Sequence, residues 1–236
     1  MKKPFLLIGL NLVFTAIPCL QAAVLLKYEF AGGSQTGSIV DPGVTAGSFG
    51  AGPNLVDLDN GAAGGTLDYT AGWARIAPSR VIGASATPGN ETDSVTEGEY
   101  FTFTIGPNSG GTLNLETLVF STAYYGTNAP TVLASFFVRS SIDNFVINLG
   151  NTTFTSPLLT SAAFVGNTVT FTGASFQGLA GPVEFRIYLY DTNNASNRSI
   201  AIDDVTVNGT FIPVPEPASC AFVFASIGLA LAGRRR

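Results

Sequence analysis

The sequence contains no histidine. That removes Ser-His-Asp and Cys-His catalysis and every metal site built on imidazole. Its two cysteines, Cys19 and Cys220, both fall in terminal apolar segments. The body between them therefore has no thiol nucleophile and no disulfide, which a single domain of about 190 residues can do without. Charge is scarce as well, at 11% Asp, Glu, Lys and Arg. Trimming the ends removes Glu216 and five bases, leaving fifteen acids against six bases, near −9. That balance argues against nucleic acid or anionic lipid as a partner. No nucleophile elbow is present, because "GASAT" around Ser85 lacks the closing glycine. "AGGSQTG" and "NGAAGG" lack the strand–helix setting and Lys-Ser/Thr ending of a phosphate loop. Carboxylate chemistry is what remains, but the acids of "ETDSVTEGE" (Glu91, Asp93, Glu97, Glu99) read as a solvated loop of repelling charges. No internal repeat is visible.

What the body has in quantity is alternation. "YFTFTI" puts Phe101, Phe103 and Ile105 on one face and Thr102 and Thr104 on the other. "PVEFRIYLYD" turns Val183, Phe185, Ile187 and Leu189 inward, with Glu184, Arg186, Tyr188 and Tyr190 outward. "VLLKYEF", "ETLVFSTAYY", "TVLASFFVRS", "NTVTFTG" and "SIAIDDVTV" are further strands. Turn residues separate them at Asp41-Pro42-Gly43, Pro107 to Gly111, Asp143-Asn144, Gly178 to Pro182 and Asp191 to Asn197. No stretch of the body shows an amphipathic helical period. Strands with one apolar face each must pack as two sheets. The expected fold is all-β: an antiparallel jelly-roll β-sandwich over residues 24–212, flanked by two addressing segments.

The N-terminal segment, residues 1–23, reads as a secretory signal peptide. Lys2 and Lys3 precede an apolar stretch from Phe5 to Ile17, and small residues lead to a cut after Ala22 or Ala23. Pro18 stands where a lipoprotein signal places a small residue directly before the cysteine. At the other end, residues 213–236, Ala218 to Gly233 is uncharged and mostly apolar, slightly under the roughly 20 residues of a membrane-crossing helix. Arg234, Arg235 and Arg236 would stay on the cytoplasmic side. Val214-Pro215-Glu216-Pro217, the short apolar helix and the terminal arginines together resemble the PEP-CTERM sorting signal of Gram-negative bacteria. The resemblance covers about the last 23 residues and implies handling by an exosortase and the secretion machinery. It also implies transient inner-membrane anchoring, then release to or display at the cell surface. Pro215 and Pro217 would keep the segment before the helix extended, as a protease substrate requires.

The opening "LKYEF" and closing "SIAIDDVTVNG" resemble carbohydrate-binding modules and galactose-binding-like jelly rolls. That resemblance implies a structural calcium shared by Glu29 and Asp203 or Asp204, since calcium takes clustered carboxylate oxygens. The alternation also breaks there. Ile200 and Ile202 share a face, but Val205 and Val207 require a shift of one, so a β-bulge is expected at Asp203-Asp204. Arg139, in "FFVRSSIDNF", is expected to pair with an acid on a neighbouring strand. Flat aromatic faces stack on sugar rings, which nominates Trp73, Tyr124, Tyr125, Tyr188 and Tyr190. The leading expectation is a non-enzymatic structural or adhesive surface protein in an exopolysaccharide setting. A carbohydrate-binding module is the alternative; a carboxylate glycosidase and an ice-binding protein rank below both.

Overall fold

Alternation becomes sheet faces in the computed structural model, which describes residues 22–53, 74–76, 90–126, 134–156, 164–191 and 198–214. One sheet runs in the order β10 (Val165–Thr170), β7 (Gly111–Gly126), β12 (Arg198–Pro213), β1 (Ala23–Tyr28), β2 (Ile39–Val40). The short β5 (Ala74–Ile76) pairs with the leading end of β12. The other sheet runs β3 (Val44–Ala46), β6 (Tyr100–Pro107), β11 (Val183–Asp191), β8 (Ala134–Ser140), β9 (Leu149–Ser156), with β4 (Gly50–Ala51) also on β6. Every pairing is antiparallel. From β6 onward the chain repeatedly crosses between sheets, as a jelly roll requires. The turn from Pro107 to Gly111 is thus a corner between sheets, with Gly110 at φ 93°, where a side chain would be strained.

The expected inward residues are inward. Phe101, Phe103, Ile105, Val183, Phe185, Ile187 and Leu189 are buried, and they meet Leu115, Leu118, Phe120, Ile202, Val205 and Val207 from the facing sheet. Through this layer runs a chain of near-parallel rings. Phe49 and Phe103 lie 6.0 Å apart, Phe103 and Phe185 5.5 Å, Phe185 and Phe171 5.1 Å, and Phe171 and Phe176 4.7 Å. Each buried ring contributes about 1.5–3 kcal/mol by area alone, plus about 0.5–1.5 kcal/mol per aromatic pair.

The bulge also lies where the alternation breaks. The β7–β12 register shifts between Asp203 and Thr206, and Asp204 takes φ 50°. This lets Ile202, Val205 and Val207 all reach the core.

One expectation was wrong. The acidic stretch is not a loop but a helix, α1 (Glu91–Glu97). Asn90 caps it by accepting from the Asp93 N–H at 3.0 Å, Glu91 and Asp93 sit in the first turn, and left-handed Gly98 ends it. Tertiary contact holds this short helix: buried Ser94 donates to the Leu189 carbonyl at 2.8 Å. Among the described residues no helix is long and apolar enough to cross a membrane. Residues 1–21 of the signal segment, and Pro215 to Arg236 of the tail, lie outside the described residues.

Candidate functional site: an edge cleft between the sheets

A cleft of about 800 Å³ opens where the end of β8 and the start of β9 face the end of β10. That volume lies within the usual range for small-ligand sites. One wall is the turn after β8. Ser141–Asp143 form a 3₁₀ turn, and Asn144 and Phe145 follow with φ 58° and 61°, both left-handed. Such a conformation is costly for a bulky phenylalanine. Three side chains hold it. Asp143 accepts from the Ile147 N–H at 2.8 Å and the Val146 N–H at 3.3 Å. Arg139 donates Nη1–H to the Phe145 carbonyl at 3.0 Å, and the Arg186 guanidinium lies 3.7 Å from the Phe145 ring centre. Beyond this turn Val146 and Ile147 are 67% and 61% exposed, and Ile147 lines the cleft rim.

The other wall is β10 and its continuation. Thr168, Thr170 and Thr172 recur at every second residue into the cleft, with Ser175 beyond them. No hydrogen bond among the described residues engages these four hydroxyls. Phe171 and Phe176, the last rings of the aromatic chain, form an apolar floor and are 6% and 4% exposed. Ser140 also lines the cleft, at 1% exposure, and its Oγ has no hydrogen-bond partner. A buried hydroxyl without a partner costs about 1–3 kcal/mol.

Asn148 completes the wall. Its Oδ1 accepts from Arg139 Nε–H at 2.7 Å, and its Nδ2–H donates to Glu91 Oε2 at 2.7 Å. Among the described residues Arg139 thus reaches an acid only through Asn148, and that acid sits on α1 rather than on a neighbouring strand. Behind them lies a packed outer face of the β11 sheet. Phe137 stacks on Tyr188 at 5.0 Å, and Arg139 lies 5.2 Å from the Phe137 ring centre. Tyr188 points outward as expected, yet it is buried under this cover and offers no platform.

The residues nominated for calcium do come together, around an ammonium. Lys27 Nζ is 2.7 Å from Glu29 Oε1 and 2.9 Å from Asp204 Oδ1. Lys27, on the outward side of β1, and Glu29, just past the strand's end, sit two apart beside the bulge of β12. In this arrangement the lysine takes one oxygen of each carboxylate, Glu29 Oε1 and Asp204 Oδ1. Among the described residues no group of three or more acids, cysteines or histidines could hold a metal ion. The hydrogen bond from Lys27, then one from Ser38, and the Lys27 charge hold the Glu29 carboxyl below the usual carboxylate range. Burial instead pushes Asp203 up to about 6.

The sign for Asp203 follows directly. Between 3.8 and about 6 the folded chain binds a proton that the unfolded chain has released, so stability falls as pH rises through that window. Asp203→Asn keeps the oxygen that accepts the Asp204 N–H at 2.8 Å and removes the charge. Its melting temperature should exceed that of the wild type at about pH 7 and converge with it near pH 4, as thermal scans at both pH values would show.

Of the nominated sugar platforms, Trp73 lies outside the described residues, and only the backbone of Tyr124 and Tyr125 is described, in β7 opposite Ile200 and Ser199. Val214 is exposed and donates its N–H to the Gly110 carbonyl at 2.6 Å. The rest of the sorting motif, Pro215, Glu216, Pro217 and Arg234 to Arg236, lies outside the described residues. The cleft residues themselves were not nominated. The threonines at 168, 170 and 172 were legible as a polar strand face, but nothing local says which face meets a cleft.

No protein-family model matches the chain, and no curated protein matches it in sequence. Among solved structures it is similar to carbohydrate-binding modules. The CBM22-1 xylan-binding domain from Paenibacillus barcinonensis Xyn10C aligns over 80% of this chain and 95% of its own, at 10% identity and TM-score 0.37. TmCBM27, a carbohydrate-binding module described for specific mannan recognition, aligns over 81% and 99%, at 11% identity and TM-score 0.39. A CBM4 structure aligns over 69% and 94%, at 14% identity and TM-score 0.35. At these scores the likeness carries no argument about a ligand.

Proposed function

We propose that this chain is a non-catalytic carbohydrate-binding protein that takes a neutral saccharide in the edge cleft. The observation that carries this is the pairing of unengaged hydroxyls (Thr168, Thr170, Thr172 and Ser175) with the apolar floor of Phe171 and Phe176. A sugar ring presents the same combination, hydroxyls at its edge and C–H groups on its faces. Hydrolysis is disfavoured because Asp143 is the only carboxylate among the described lining residues, and both its oxygens already accept backbone N–H groups. The cleft favours this reading over a purely structural or adhesive role. Export by the N-terminal segment and exosortase sorting through the tail are part of the proposal, and would put the module where exopolysaccharide is.

The test is affinity electrophoresis of the full-length protein through gels containing xylan, mannan, mixed-linkage β-glucan or pullulan. Retardation by at least one is expected. The double variant Thr170→Ala/Thr172→Ala should weaken it about tenfold, while unfolding free energy stays within about 0.5 kcal/mol of wild type. Free migration of the wild type through every gel would sink the reading.

A further inference from the structure

We propose that Asn148 reads the ligand in the cleft, and that Arg139 and Glu91 are positioning residues that set the direction of its amide. This rests on the saccharide-binding reading above. The argument starts from what each partner can do. A carboxylate only accepts and a guanidinium only donates, so the contacts at 2.7 Å on either side permit one orientation of the carboxamide. Nδ2 must face Glu91 and Oδ1 must face Arg139.

Each end of the amide still has capacity. Nδ2 keeps a second N–H and Oδ1 keeps a second lone pair, on a residue that lines the cleft. An adjacent donor and acceptor in one plane match a saccharide bearing neighbouring hydroxyls, each of which can give and take a hydrogen bond. The charged partners also strengthen both functions. Arg139 on the oxygen makes the free N–H a better donor, and Glu91 on the nitrogen makes the oxygen a better acceptor.

Arg139 is built for this task in a way a generic brace is not. One guanidinium fixes two things: Nη1–H holds the Phe145 carbonyl of the left-handed turn, and Nε–H holds Asn148 three residues on. The turn and the reading side chain are therefore placed by one rigid fork. A lysine has three donors on one freely rotating nitrogen and lacks the rigid planar fork that fixes two partners at a set spacing. The acid comes from α1, far away in sequence, so the helix joins the cleft through Glu91.

Calorimetric titration of the full-length protein with xylohexaose, mannohexaose and cellohexaose tests this, with melting temperature measured alongside. Asn148→Ala should lose at least about tenfold in affinity, and Arg139→Lys and Glu91→Ala about tenfold each. Glu91→Gln, which retains an acceptor oxygen for Asn148, should restore affinity to near wild type. If Thr170→Ala/Thr172→Ala weakens binding while Asn148→Ala does not, the cleft stands and the reading role of Asn148 falls. If Arg139→Lys and Glu91→Ala lower the melting temperature with affinity unchanged, the two residues only brace the turn and the positioning claim fails. If the wild type binds none of the three hexaoses and migrates freely through every polysaccharide gel, the inference falls together with the function it rests on.

Discussion

Phe185→Ala is expected to lower the unfolding free energy by about 3–5 kcal/mol, read from urea denaturation of the full-length protein. Phe185 is fully buried at the middle of the ring chain, stacked on Phe103 at 5.5 Å and on Phe171 at 5.1 Å. Removing it leaves a hole that neither neighbour can fill, because Phe103 is pinned against Phe49 and Tyr28 and Phe171 against Phe176. The effect should also reach the ligand. Phe171 is the cleft floor, and without Phe185 behind it the floor loses its support. Saccharide affinity should therefore fall even under conditions where the variant remains folded. A loss below about 1 kcal/mol would mean the rings do not form the continuous layer described here.

Gly209→Ala should destabilise by about 1–3 kcal/mol or more, although only one methyl group is added. Gly209 lies on β12 between Ala23 of β1 and Leu115 of β7, where the β7–β12 register shifts for the second time. A Cβ there would run into the Asn114 carbonyl oxygen and meet Leu25 Cδ1 at 3.0 Å. The first obstacle is backbone, so relief requires moving β7 itself. Gly166→Ala is the matched control. That glycine lies on β10 with nothing within 4 Å of the added carbon. The same substitution there should be neutral or stabilising by up to about 1 kcal/mol, because the unfolded chain loses freedom. Equal effects at the two sites would contradict the described register.

The sequence by itself determined the class of fold, the inward faces of β6 and β11 and the bulge at Asp203-Asp204. Those follow from period-two alternation, which each strand carries within itself. It also determined what chemistry is absent, since no fold can supply a histidine the chain lacks. It did not reveal α1, because seven residues are too few to show a helical period and the Asn90 cap and Gly98 stop were the only local signals. Nor did it reveal that Lys27 would stand between the acids nominated for calcium. The cleft was decided by tertiary structure alone. Ser140, Asn148, Thr170 and Phe176 come from separate strands and turns, and Glu91 reaches Asn148 across 57 positions of chain. Each reads locally as an ordinary surface or core residue. Only the crossing of the chain between sheets puts their unspent hydrogen-bonding groups around one space.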